Sequence, residues 1–146
     1  MSSIRFDAVG KSFGGGVQAL DDINLDVADN EFVAIVGPSG CGKTTCLRMA
    51  AGFDFPTSGR VLVGNSVVTS PGPDRAVVFQ QFALFPWKTV TENIELGLRN
   101  KGMAKDERKA RVADAVAMIG LGGYEASYPK QLSGGMQQRV AIARAY

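Results

Sequence analysis

Phe32-Val33-Ala34-Ile35-Val36 runs directly into Gly37-Pro38-Ser39-Gly40-Cys41-Gly42-Lys43-Thr44-Thr45, and this succession constrains the fold of the chain more than any other feature. Five consecutive apolar residues, three of them β-branched, predict a buried strand. Thr44 to Ala51, with Leu47, Met49, Ala50 and Ala51, predicts a helix closed by Gly52. Between them lies a complete G-x-x-x-x-G-K-[ST] loop in the strand–loop–helix setting that such a motif needs. Gly37, Gly40 and Gly42 let the backbone turn sharply and bring its N–H groups close to an anion. The helix start adds unpaired N–H groups and the positive end of its dipole. Lys43 is placed to reach β- and γ-phosphates, the Thr44 hydroxyl to ligand Mg²⁺, and Thr45 to touch an α-phosphate. The bland alternative, an ordinary glycine-rich turn, does not account for the full motif in its full context.

A second landmark is Leu132-Ser133-Gly134-Gly135-Met136-Gln137-Gln138-Arg139. Ser133 is a good helix N-cap, Gly134 and Gly135 leave N–H groups open at the helix start, and the helix continues through Ala145 with Val140, Ile142 and Ala143 available for packing. Taken alone, it reads equally well as an ordinary capped helix.

This stretch resembles the signature motif of the ATP-binding subunits of ABC transporters, and the resemblance runs along the whole chain. It implies that Gly37, Pro38, Ser39, Gly40, Cys41, Gly42, Lys43, Thr44 and Thr45 form the Walker A loop for ATP. Phe13 looks like the aromatic residue that stacks on adenine. Gln80, in Val77-Val78-Phe79-Gln80-Gln81, looks like the Q-loop glutamine that helps ligand Mg²⁺ and senses the γ-phosphate. Ser133, Gly134 and Gly135, with Gln137 also assigned to the nucleotide, would meet the ATP held on an opposite subunit. Pro71-Gly72-Pro73-Asp74-Arg75 and Leu84-Phe85-Pro86-Trp87-Lys88-Thr89-Val90 are similar to the branch serving importers of nitrate, sulfonate and taurine. The implied partners are a second ATP-binding subunit in a head-to-tail dimer, an integral-membrane permease and, indirectly, a substrate-binding protein. The implied place is the cytoplasmic face of the cell membrane. A soluble ABC ATPase of repair or translation is the alternative within the family, and a non-hydrolysing ATP-binding fragment the alternative outside it.

The family pattern continues beyond the signature helix with a strand ending in Asp-Glu, a D-loop and a switch histidine. The sequence stops at Tyr146 and contains no histidine. Loss of a general base is typically worth ~10²–10⁴ in rate, so the expectation is ATP binding with negligible hydrolysis. An unpaired Phe32–Val36 strand would leave an edge prone to association. Asp29-Asn30 stands where the family carries a glycine, and Asn tolerates the turn. Cys46 replaces the usual leucine, a loss of volume on a packed helix face.

The net charge of +2 and the lack of any Lys/Arg run exclude a nucleic-acid binder. No run of about 18 apolar residues is present to span a membrane, and Met1-Ser2-Ser3-Ile4-Arg5-Phe6-Asp7 has no signal-peptide pattern. Cys41 and Cys46 straddle a loop–helix junction, where pairing is not expected, and no soft ligands cluster with them to hold a metal.

Elsewhere, Ile4–Val9 and Ala19–Val27 read as strands around Gly14-Gly15-Gly16, Gly59–Gly64 and Val67-Val68 as a hairpin, and Ala76–Phe79 as a buried strand. Helices are expected from Val90 to Leu98, capped by Thr89, and from Lys105 to Ile119, with Val112, Val116 and Ile119 on one face. Phe82, Leu84, Phe85 and Trp87 form an aromatic-rich cluster that is either core or interface. The expected fold is α/β: an incomplete P-loop NTPase (RecA-like) core with an antiparallel β element and a helical subdomain. Residues 1–88 carry the P-loop and Q-loop, residues 89–146 the signature motif, and the C-terminal part of the core is absent.

Overall fold

The computed structural model describes residues 3–99 and 102–145. Two compact units divide the chain, Met1–Arg75 and Ala76–Tyr146, so the segment from Ala76 to Lys88 groups with the helices that follow it.

The first unit is built on a four-stranded antiparallel sheet. β1 (Ile4–Phe13) and β2 (Val17–Val27) form a hairpin about the three glycines, with Phe13 opposite Val17. The other edge of β1 pairs with β3 (Ser58–Val63), Phe6 facing Val61, and β3 turns back into the short β4 (Ser66–Val67). The spatial order is therefore β2-β1-β3-β4. The glycine loop and α1 (Lys43–Ala50) lie in the connection between β2 and β3. Cys46 and Met49, three positions apart, share the buried side of α1. They pack into a core with Phe6, Val9, Leu20, Val61, Val63 and Val68.

The second unit is helical: α2 (Val90–Arg99), α3 (Lys105–Met118) and α4 (Gly134–Ala145), with a single 3₁₀ turn at Pro129–Gln131. Its core gathers Val90, Ile94, Leu98, Val112, Val116, Leu121, Leu132, Val140 and Ala143. Each such valine, leucine or isoleucine removed from water contributes about 1.5–3 kcal/mol before entropy is counted. Thr89 caps α2 reciprocally: its Oγ1 accepts from Glu92 N (3.3 Å) while Glu92 Oε2 accepts from Thr89 N (2.8 Å). That backbone bond, with the Thr89 hydroxyl helping, lowers the Glu92 carboxyl below its ordinary pKa. Gly97 lets α2 and α4 approach closely, since a Cβ there would lie 2.4 Å from the Arg144 carbonyl oxygen.

Two expected strands do not form. Among the described residues Phe32–Val36 has no ladder partner, and Phe32 and Val36 are 92% and 90% exposed. Ala76–Phe79 likewise has no strand assignment, and Val77, Val78 and Phe79 are exposed. A strand buried on both faces requires neighbours to bond with, and the four strands of the described residues pair only among themselves. The other elements match the sequence reading, with β1 continuing past Val9 to Phe13 and β2 starting two residues before Ala19.

Candidate functional site

The glycine loop meets α1 at Gly42, the residue before the helix, in a left-handed conformation (φ 90°, ψ 0°). A Cβ at this position would lie 2.5 Å from Leu20 Cδ2 and 2.8 Å from the Ala19 carbonyl oxygen, so the loop is pressed against β2 with no room for a side chain. Cys46 N donates to Gly42 O at 2.9 Å, which closes the first turn. No acidic residue occupies that turn, so the positive end of the helix dipole is left for an outside anion.

Lys43 folds back over the loop. Its Nζ donates to Gly37 O (2.7 Å) and Pro38 O (2.6 Å) and lies 3.4 Å from Cys41 Sγ. The ammonium is thus held at the mouth of the loop by carbonyls of the loop itself. Ser39, Cys41 and Thr44 are exposed and Thr45 is half-buried. Among the described residues, the Thr44 hydroxyl has no protein partner. Both cysteines are free, and burial raises the Cys46 thiol above its ordinary pKa, with Cys41 adding to the shift.

Phe13, 45% exposed, ends β1. Lys11, on the same strand, places its Nζ over the Phe13 ring, 5.1 Å from the centroid. The same ammonium donates to Asp54 Oδ1 (2.6 Å) and Phe55 O (2.7 Å), both in the loop that follows α1. Next to this junction Thr57 N donates to Gly10 O (2.9 Å) and Ser12 N to Thr57 Oγ1 (3.2 Å). The hairpin bearing Phe13 is therefore fastened to the segment leaving the phosphate-loop helix.

In the second unit Gln80 is exposed in a turn. Beyond Gln81, Phe82 and Ala83 adopt left-handed backbone angles (φ 53° and 47°), an arrangement that persists in non-glycine residues only when neighbours enforce it. Arg144 supplies that enforcement: Nη1 donates to Ala83 O (2.7 Å) and Nη2 to Phe82 O (3.1 Å), with the guanidinium 5.9 Å from the Phe85 ring centroid. Burial lowers the Arg144 pKa from its usual value. Asn93, 0% exposed, anchors the next stretch. Its Oδ1 accepts from Phe85 N (2.9 Å), and its Nδ2 is shared among Phe85 O, Lys88 O and Thr89 O at 3.3, 3.0 and 2.9 Å. Trp87, 70% exposed, meets Phe85 edge-on at 5.6 Å.

Ser133 caps α4 through Met136 N, which donates to Ser133 Oγ at 3.3 Å. Ser133, Gly134 and Gly135 are exposed, and added Cβ atoms on the two glycines would meet nothing within 4 Å. Packing makes no demand for glycine there. The Gln137 amide turns into the protein and donates to Pro129 O (3.0 Å) and Leu132 O (3.2 Å), so it braces the segment that carries Ser133. The signature residues and the Gln80 turn belong to opposite ends of α4, a helix of 12 residues or about 18 Å.

Sequence reasoning missed Lys11, Asp54, Asn93 and Arg144. Asn93 alone left a local trace, a polar residue on the apolar face shared by Val90 and Ile94.

The sequence pattern of the ABC transporter family matches residues 20–146. The chain belongs to that family. It is 57% identical over 131 residues to an uncharacterized ABC transporter ATP-binding protein of Methanocaldococcus jannaschii, covering 90% of this chain and 49% of that protein. It is 48% identical over 131 residues to the taurine import ATP-binding protein TauB of Burkholderia thailandensis, covering 90% and 50%. Against the sn-glycerol-3-phosphate import ATP-binding protein UgpC of Brucella abortus it is 46% identical, covering 99% and 42%. This ABC cassette thus spans about half the length of the curated relatives it matches. Among solved structures it resembles the dimeric ABC transporter cassette MJ0796 (TM-score 0.86, 39% identity, 97% of this chain and 68% of that one). A post-hydrolysis dimer of the same cassette holds ADP and Pi (TM-score 0.85). These neighbours make the fold that of a P-loop NTPase. The import relatives divide between taurine and sn-glycerol-3-phosphate, so the narrower branch suggested by residues 71–75 and 84–90 is not singled out.

Proposed function

We propose that this chain binds Mg-ATP as the nucleotide-binding part of an ABC importer subunit. The observation that carries the proposal is Lys43, whose ammonium is held over the glycine loop by Gly37 O and Pro38 O at the head of α1. An incoming triphosphate would accept those ammonium hydrogens in exchange, together with backbone N–H groups of the loop and the helix start. The exposed Thr44 hydroxyl is a hard oxygen donor suited to Mg²⁺ and would help hold it, and the family resemblance assigns the Gln80 amide oxygen to the same ion. When bound, the ion offsets phosphate charge.

Phe13 is assigned to adenine stacking. Ser133, Gly134 and Gly135, on the open end of α4, are assigned to the γ-phosphate of ATP on a second subunit in a head-to-tail dimer, with Gln137 holding that end in shape. In the whole protein, hydrolysis would drive transport through an integral-membrane permease at the cytoplasmic face, fed by a substrate-binding protein. A nitrate, sulfonate or taurine-type anion is the proposed cargo, supported by residues 71–75 and 84–90 and by the likeness to a taurine importer subunit. Among the described residues no helix is long and apolar enough to cross a membrane, in keeping with a peripheral role.

Calorimetric titration of the chain with Mg-ATP tests the reading. Saturable binding is expected, weakened more than about tenfold in Lys43→Ala, since charge-assisted bonds to phosphate are the stronger kind. Unchanged affinity in that variant would overturn the phosphate-loop assignment.

A further inference from the structure

We infer that Lys11 is a positioning residue for the base-stacking ring, docking on one face of Phe13 and leaving the opposite face to adenine. The inference rests on the ATP-binding reading above and adds to it which residues hold the aromatic in place. A lysine ammonium has three hydrogens to place. Asp54 Oδ1 at 2.6 Å and the Phe55 carbonyl at 2.7 Å take two, and the Phe13 ring face, 5.1 Å away, takes the remaining direction. The Lys11 and Asp54 side chains are only 12% and 20% exposed, which shelters this contact from solvent.

Three consequences follow from the geometry. The cation covers one side of the ring, so a purine can stack only on the other. The ring loses electron density to the ammonium, which suits it to an electron-rich purine partner. And because Asp54 and Phe55 belong to the loop that leaves α1, the position of the stacking ring is tied to the helix that carries the phosphate-binding lysine. The Thr57 bonds to Gly10 and Ser12 reinforce the same tie.

The experiment compares Mg-ATP with inorganic tripolyphosphate, which lacks the base, as calorimetric ligands of the full chain. The parent is expected to prefer ATP by about tenfold or more, the usual yield of stacking one base on an aromatic ring. Lys11→Met is expected to reduce that preference by about threefold to thirtyfold, with tripolyphosphate affinity kept within about twofold. Lys11→Arg, which keeps a cation over the ring, should restore most of it. In a Phe13→Leu background, Lys11→Met should have no further effect on the ATP preference. Asp54→Asn, which loosens the ammonium while keeping side-chain shape, should shift the preference in the same direction, and it serves if Lys11→Met fails to fold. Equal weakening of both ligands, or an unchanged preference in Lys11→Met or Asp54→Asn, overturns the inference. A parent that binds both ligands equally overturns the Phe13 and Lys11 assignments and leaves the phosphate site standing. A parent that binds neither overturns the proposed function and this inference with it.

Discussion

Replacing Asn93 by alanine should destabilise the helical unit by about 2–4 kcal/mol. The Asn93 carboxamide is fully buried and satisfies Phe85 N together with the carbonyls of Phe85, Lys88 and Thr89. Truncation leaves the Phe85 N–H without its acceptor, at about 1–3 kcal/mol for a buried unpaired donor. The space left by the carboxamide adds on the order of 1 kcal/mol. The three carbonyls contribute less, because each keeps lone pairs that water can reach once the segment loosens. Trp87, the only tryptophan of the chain, lies inside the held segment, so urea unfolding followed by its fluorescence reads the site directly. With a urea slope of about 1 kcal/mol per molar for a unit of this size, the midpoint should fall by about 2 M or more. Asn93→Asp sharpens the test. It keeps an acceptor for Phe85 N but turns the amide donor into an anionic oxygen among three carbonyls. Such a carboxyl ionises less readily folded than unfolded, so its penalty grows as pH rises above about 4 and shrinks below it. A loss under about 0.5 kcal/mol in Asn93→Ala, the ordinary range for surface substitutions, would refute the reasoning. So would an Asn93→Asp variant as stable as the parent at neutral pH.

Cys41, exposed beside the Lys43 ammonium, should react with a thiol reagent and be shielded by Mg-ATP, while buried Cys46 stays unreactive; peptide mapping after alkylation decides between them, and equal labelling of Cys41 with and without ATP counts against loop occupancy. Asp54 has its pKa lowered, chiefly by the hydrogen bond from Lys11, so it contributes stability above the ordinary carboxyl pKa of about 4 that is lost as pH falls through its lower folded value. The thermal midpoint should drop more steeply below pH 4 in the parent than in Asp54→Asn, and parallel curves would contradict this. Phe32 and Val36 are exposed apolar residues in a segment that, among the described residues, joins no strand ladder, so the purified chain should self-associate in light scattering, and Phe32→Asn with Val36→Asn should reduce the scattering; a monodisperse parent would count against this segment's being available for pairing.

What the sequence disclosed was local chemistry. The glycine loop ahead of α1, the Thr89 cap and the Ser133 cap each depend on residues within a few positions of one another, and each appears in the structure where the spacing put it. The two apolar runs, Phe32–Val36 and Ala76–Phe79, failed as strands because a strand is defined by its neighbour, and no neighbour is written in its own residues. The contacts that finish the candidate site are also non-local. Lys11 reaches Asp54 across 43 positions and Arg144 reaches Phe82 across 62, separations at which one sequence gives no pairing signal. Lysine near a strand end and arginine near a helix end read as solvated surface until the fold supplies their partners.

The placement of the glycine loop within the β2–β3 connection has a consequence for how the first unit comes together. During synthesis β1 and β2 can pair as soon as both have emerged, but β3 reaches the free edge of β1 only after the loop and α1 have been made. Seating β3 then closes residues 28–57 into a ring, at an entropy cost that rises slowly with length. A ligand gripped by that ring restrains it in advance, so phosphate binding and the docking of β3 draw on the same free energy. Amides of β3, distant in sequence from the loop, should therefore exchange more slowly with solvent as nucleotide is added, and a chain circularly permuted within residues 28–57 would keep its sheet while losing that coupling.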